Sequence, residues 1–266
     1  MPAFIDQLDR TIFLDHPPRR IISLVPSQTE LLYTLGLEEE VVGITKFCVH
    51  PAAWHHSKTR VGGTKNIHAD IIRTLQPDLI IANKEENQQE QIEQLFLHYP
   101  VWISDITTLD DALEMIRAVG MLTGRTQTAT SLADDIRQAF QTSTTPSRPL
   151  RTAYFIWKDP WMAAGGNTFI QHMLERCGLV NVFSDRDRYP IVQPEELLQK
   201  DCELVLLSSE PYPFREKHVA EITPIIPSAA IRLVDGEMFS WYGSRLLKSP
   251  AYFRQLRKHL QENSDI

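Results

Sequence analysis

The sequence predicts an α/β protein built as two lobes, each around a central, mostly parallel sheet, joined by one long helical connector. Three observations carry that prediction. Short apolar runs rich in Ile and Val alternate with amphipathic segments, the pattern of strands linked by crossover helices. A stretch from Leu109 to Gln141 has no strand-like run and keeps helical spacing. A second α/β series follows it. The expected divisions are an N-terminal lobe at residues 1–108, a connector and linker at 109–149, and a C-terminal lobe at 150–266.

Taken in order, Arg20 to Val25 reads as a buried strand stopped by Pro26. Ser27 and Glu30 have the spacing of a capping box ahead of Leu31, Leu32 and Leu35, and Gly36 supplies the stop. Further strands are expected at Val41 to Thr45, Leu79 to Ala82 and Val101 to Ser104, with helices around Ala69 to Leu75 and Gln88 to Leu97. Leu113, Ile116, Leu122, Leu132, Ile136 and Phe140 fit helical spacing over two segments that meet near Gly124, read together as the connector. Thr142 to Pro149 is polar and proline-bearing, as boundaries are. Beyond it, strands are expected at Thr152 to Trp157, Leu179 to Phe183, Leu204 to Ser208 and Ala230 to Val234. Helices are expected at Phe169 to Cys177, Pro194 to Lys200 and Arg245 to Leu260.

One internal echo joins the halves. Asp70 begins a helix that leads to Asp78 and the strand Leu79 to Ala82; Glu195 begins one that leads to Glu203 and the strand Leu204 to Leu207. The interval from acid to acid is the same in both, which implies two lobes of similar build.

Composition narrows the function. With 27 basic and 34 acidic side chains among 266 residues, the formal charge is −7, and no clustered Lys and Arg are available to displace counterions from a phosphate backbone. Nucleic acid is not an expected partner. No apolar run reaches the roughly 18 residues of a membrane span, and the first ten residues are broken by charge, so neither a spanning helix nor a secretory signal is expected. Cys48, Cys177 and Cys202 have no C-x-x-C spacing and read as reduced, buried thiols. Signatures for nucleotide binding, esterase chemistry and zinc-protease chemistry are missing, so no catalytic residues, cofactor or metal are assigned.

Several segments remain as binding candidates. Lys46 to His56 places Cys48 two residues before His50 and ahead of the pair His55 and His56. That set suits a soft metal or a thiolate–imidazole couple, or else a loop with solvent-facing histidines; Phe47, His50 and Trp54 equally suit a pocket wall. Gly62 and Gly63 precede Thr64, Lys65 and an expected helix cap at Asn66. This is either an ordinary turn or a place where backbone amides and Lys65 meet an anion. Asn83 and Lys84 follow a strand end, where open parallel sheets place ligand contacts. Trp157 also ends a strand, Tyr189 precedes the helix of Glu195, and Trp241, Tyr242 and Arg245 fall in an expected loop. Such aromatics suit stacking on a broad, flat ligand or packing within the fold.

Arg20 to Glu30, Val41 to Thr45, and Leu75-Gln76-Pro77-Asp78-Leu79-Ile80-Ile81, in that order and with the long helical stretch, resemble the helical-backbone (class III) substrate-binding proteins of ABC importers, the group with cobalamin and iron-siderophore binders. The resemblance covers nearly the whole chain. It implies a monomeric, non-catalytic protein that holds a small-molecule ligand, a corrinoid or a ferric chelate, in a cleft between lobes bridged by a rigid helix. It also implies delivery to an ABC permease whose arginines meet Asp70 and Glu195. Asp70 stands where cobalamin-binding members carry glutamate. Phe47 and Tyr189 align with aromatic ligand contacts of those members, while Thr64 and Asn83 replace tryptophans. Trp157, Trp241 and Tyr242 are further contacts, and Lys65, Lys84 and Arg245 suit an anionic chelate. The implied compartment is the periplasm, with the cytoplasm as the alternative. The rival functions are a cytosolic metal- or chelate-binding protein or enzyme using Cys48 and His50, and a scaffold whose acidic tips bind a partner.

Overall fold

The computed structural model describes residues 2–142 and 148–262, so most of the polar stretch expected as a linker lies outside the described residues. The chain forms two compact units. The first holds residues up to Ile106 together with Asp110–Arg137 and Tyr242–Arg245; the second holds Thr107–Leu109, the described residues from Gln138 to Trp241, and Leu246 onward. The unit division therefore falls inside the helical stretch rather than at residues 108 and 149.

The first unit opens with a small antiparallel hairpin, β1 (Ala3–Ile5) and β2 (Thr11–Phe13). The chain then alternates β3 (Ile21–Ser23), α1 (Pro26–Thr34), β4 (Val41–Ile44), α2 (Ala52–Ser57), β5 (Thr59–Arg60), α3 (Ala69–Leu75), β6 (Leu79–Asn83), α4 (Gln89–Phe96) and β7 (Val101–Ser104). The five strands pair in parallel in the order β5-β4-β3-β6-β7. Every residue of β3, β6 and β7 is buried, as strands covered on both faces must be. Leu24, Ile72, Ile80, Ile92, Leu95 and Ile103 are part of the core between sheet and helices.

The stretch expected as one connector is two helices, α5 (Leu109–Leu122) and α6 (Thr126–Gln141). Gly124 breaks it with a left-handed φ of +71°. The two helices fold back on each other: a Cβ on Gly120 would lie 2.1 Å from that of Ala129, and Arg117 bonds Asp134 at 2.7 Å. A hairpin of helices thus replaces an uninterrupted rod.

The second unit contains β8 (Leu150–Trp157), β9 (Met162–Ala163), α7 (Phe169–Arg176), β10 (Leu179–Asn181), α8 (Glu196–Gln199), β11 (Leu204–Ser208), α9 (Glu216–Ile222), β12 (Ala230–Val234), α10 (Glu237–Ser240) and α11 (Ser249–Glu262). Its sheet runs β10-β8-β11-β12 in parallel, with β9 antiparallel beside β8. Phe155, Phe183, Leu197, Val205, Leu207 and Phe214 belong to its core. The helix expected from Arg245 is interrupted: a 3-10 turn, Ser244–Leu247, precedes α11.

Two expected caps are replaced. Pro26 occupies the first helical turn of α1, so Val25 is the N-cap, without a side-chain bond, and Ser27 is already inside the helix. Asn66 does not cap α3; His68 precedes it, and the Asn66 carbonyl accepts from Gly63 N–H at 2.7 Å.

Candidate functional site

In a doubly wound parallel sheet the strand order reverses once, and ligand contacts gather outside the carboxyl ends of the strands at that point. In the first unit the reversal lies between β3 and β6. Phe47 follows β4, Thr64 and Lys65 follow β5, Asn83 ends β6 and Lys84 follows it, so the fold brings these five candidates to one edge. Their neighbours tie them together. Asn87 Nδ2 donates to the Thr64 carbonyl at 3.0 Å, and Asn87 Oδ1 accepts from Asn83 N–H at 2.9 Å.

The edge sorts them by availability. Asn83 is buried and committed: Nδ2 donates to Ser104 Oγ and O at 2.9 and 3.1 Å, while Oδ1 accepts from the amides of Glu85 and Glu86. Thr64 is buried as well. Phe47 is 51% exposed, with Lys46 Nζ 5.0 Å from its ring centroid. Of the paired glycines, Gly63 makes room for this side chain, since a Cβ on it would lie 3.1 Å from the Phe47 ring, whereas a Cβ on Gly62 would meet the Asn66 carbonyl at 2.3 Å. Lys65 donates to the Glu85 carbonyl, and Lys84 pairs with Asp105 at 2.5 Å while half exposed.

The cysteine–histidine region has a different character. His50 is half-buried beside a cis bond to Pro51. Cys48 is fully buried, 3.0 Å from Thr29 Oγ1 and 3.2 Å from Thr45 Oγ1, and burial pushes its thiol up, away from the thiolate that metal binding or nucleophilic attack requires. His55 and His56 lie on the short helix α2, not on a loop, and His55 Nδ1 approaches the Cys48 carbonyl at 3.3 Å. Among the described residues no group of three His, Cys, Asp or Glu side chains is arranged around a metal-sized site.

In the second unit the carboxyl edge carries an aromatic platform. Trp157 ends β8, is 40% exposed, and meets Tyr212 edge-on at 5.5 Å. Tyr212 leans on Phe214, which stacks on Trp161. Tyr212 was not among the sequence candidates. The signal was there in Glu210-Pro211-Tyr212-Pro213-Phe214, an aromatic- and proline-rich turn directly after a buried strand. Tyr189 is half-buried, next to Arg188, whose Nη1 donates to the Asn167 carbonyl at 3.1 Å.

Three candidates expected in a loop, for stacking on a ligand or for packing, are buried. Trp241 Nε1 donates to Glu210 Oε1 at 2.9 Å, and Ser240 Oγ donates to the same oxygen at 2.6 Å. Burial raises the carboxyl pKa of Glu210 above its ordinary range. Within the first unit Tyr242 is buried, and Arg245 makes a bidentate pair with Glu30, 2.8 Å at each arm. That guanidinium holds the fold together; it is not presented to an anion.

Asp70 is exposed in the first turn of α3, on the wall of a groove of about 710 Å³ that Ile67, Leu95 and Tyr99 also line. Glu195 is exposed one residue ahead of α8. The echo between them extends to backbone conformation, because Gln76 and Asp201, each six residues after its acid, both adopt a φ of 46°.

Comparison with known proteins adds three findings. A family model described as periplasmic binding protein matches residues 21–222. A vitamin B12-binding protein of Vibrio cholerae serotype O1 is 29% identical over 197 residues, covering 72% of this chain and 71% of its own length. The fold matches the periplasmic heme-binding protein RhuT of Roseiflexus sp. RS-1 in apo form (22% identity, TM-score 0.75, 89% of this chain and 98% of that one). It also matches a protein of an ABC-type Fe3+-hydroxamate transport system from Saccharomonospora viridis (19%, TM-score 0.73, 96% and 98%).

Proposed function

Since the chain belongs to the periplasmic binding protein family, we propose that it is the non-catalytic, substrate-binding component of an ABC importer for a corrinoid or iron-chelate ligand. The observation that carries this reading is the pair of half-exposed aromatics at the carboxyl edges of the two sheets, Phe47 with Lys46 at its ring and Trp157 with Tyr212 at its side. An aromatic face left open to water loses hydrophobic stabilisation that a flat macrocycle or chelate restores. Lys65, which holds the Glu85 carbonyl, and Lys84, which pairs with Asp105, in the first unit, and His50 and Tyr189 in their respective units, are the polar groups we assign to the ligand beside them. The proposed ligand-binding set is thereby narrower than the sequence set: Thr64 and Asn83 shape the first edge, Trp241, Tyr242 and Arg245 are buried packing groups, and Tyr212 joins the contacts.

Asp70 and Glu195 are the permease-docking acids, each a solvent-facing carboxylate suited to a charge-assisted contact with arginine. The chain acts as a monomer outside the cytoplasmic membrane. Among the described residues no helix is long and apolar enough to cross a membrane, and the permease supplies the membrane passage.

Titration of the purified chain with cyanocobalamin, hemin and a ferric hydroxamate, followed by tryptophan fluorescence, tests the reading. One of the three should saturate at one equivalent without being chemically altered, and Phe47→Ala and Trp157→Ala should each weaken it by about 3- to 10-fold, the worth of one aromatic contact. Failure of all three to bind, or turnover of any of them, sinks it.

A further inference from the structure

We infer that Arg20 and Asp78 in the first unit, and Arg151 and Glu203 in the second, are positioning residues that set the two docking acids; the inference rests on the docking role proposed above. In the first unit the Arg20 side chain donates from Nε to the Leu75 carbonyl, the last of α3, at 2.7 Å. Asp78 accepts from the backbone N–H groups of Arg19 and Arg20 at 2.8 Å each, and its own N–H returns a bond to the Arg20 carbonyl at 3.0 Å. In the second unit Arg151 donates from Nε and Nη2 to the Lys200 carbonyl, just past α8, at 3.0 and 2.7 Å. Glu203 accepts from Arg151 N–H at 3.0 Å and donates its N–H to the Arg151 carbonyl at 2.7 Å. Leu75 and Lys200 each stand five residues after the docking acid, and Asp78 and Glu203 each stand eight.

The same clamp thus appears twice with different side chains, aspartate in one unit and glutamate in the other. It joins the carboxyl end of the acid-bearing helix, the start of the central strand and the turn into its neighbour. These helices need it. α3 has seven residues and α8 four, far below the length at which a helix is stable alone. Each buries one side chain fully, Ile72 or Leu197; Ile71 and Leu75 pack partly against the same core in α3, and Glu196 at the start of α8 is held by Arg186 and by the Gln193 amide. An arginine on the orphan carbonyl fixes the carboxyl end of each helix, which those contacts leave to the backbone alone, with the charge sign that a helix terminus favours there.

The test measures affinity of the full chain for its permease–ATPase complex in lipid nanodiscs. Asp70→Asn and Glu195→Gln come first and should weaken docking. Arg20→Gln and Arg151→Gln should then weaken it about 5-fold each on the wild-type background, and leave it unchanged when combined with the neutralised acid of the same unit, because groups that act through one another are not additive. Arg20→Lys and Arg151→Lys, which keep one donor, should recover part of the loss; Asp78→Ala and Glu203→Ala should repeat it. Melting curves confirm that each variant is folded. Equal losses on both backgrounds would mean general loosening and would overturn the clamp, as would wild-type affinity in the arginine variants while Asp70→Asn still fails. No effect of Asp70→Asn and Glu195→Gln would instead remove the docking role, and the clamp's purpose with it.

Discussion

Glu210 shows how one side chain can serve packing at the expense of its own charge. Its carboxylate is the acceptor for Trp241 Nε1 and Ser240 Oγ, at the carboxyl end of β11, in a setting where burial, ahead of repulsion by Glu237 and Asp235, raises its pKa from 4.5. In the unfolded chain the same group ionises in the ordinary carboxylate range. Below that range both states hold the proton and the shift costs nothing. As pH rises the unfolded state releases its proton first, so stability falls from about pH 4.5 upward until the native group also ionises. Glu210→Gln keeps the acceptor oxygen and removes the charge. Its melting temperature should match wild type near pH 4 and exceed it at pH 7 to 8; a wild type that gains on the variant as pH rises would refute the assignment.

Between elements, the decisive contacts are the ones sequence spacing does not contain. β6 was legible as Leu79 to Ala82 because its first four buried residues form an unbroken apolar run, and α3 and α4 were legible from helical period. β1 and β2 were not, since three-residue strands with outward-facing Ile5 and Phe13 carry almost no pattern, and α2 buries only Trp54. The Ser27–Glu30 spacing misled for a stated reason: Pro26 moves the helix start, and Glu30 is drawn to Arg245, 215 residues away. The same long-range pairing buries Arg245 against Glu30, as Glu210 accepts from the buried Trp241. The 3-10 turn is further fastened to α1 through Ser244 Oγ and Thr34 Oγ1 at 2.9 Å. Glu30 and Arg245 expose only 15% and 8% of their side chains. Arg245→Ala therefore leaves a carboxylate in a dry place and should cost roughly 3 to 5 kcal/mol, whereas the paired change Glu30→Leu with Arg245→Met should recover most of it. Urea midpoints at unchanged slope measure both; a loss for Arg245→Ala below about 1 kcal/mol would show that the pair is solvated.

For the whole molecule, two kinds of recognition with different physics should separate in one experiment. The chain carries a formal charge of −7, and Asp70 and Glu195, the acids proposed for docking, both face solvent. Contacts between exposed charges are screened as the Debye length shrinks from about 14 Å near 50 mM salt to about 4 Å near 500 mM. Aromatic burial is not, because the stacking proposed for Phe47 and Trp157 depends on area removed from water rather than on net charge. Raising salt across that range should therefore weaken association with the permease steeply, mainly through its on-rate, while the affinity for the small ligand changes little. Neutralising both acids together, Asp70→Asn with Glu195→Gln, should flatten the salt dependence of docking as well as lower its affinity. A flat profile in the unmodified chain would mean that apolar contact, such as the groove beside Asp70, dominates docking. A ligand affinity that falls as steeply as docking would move Lys65 and Lys84 from accessory groups to the principal contacts.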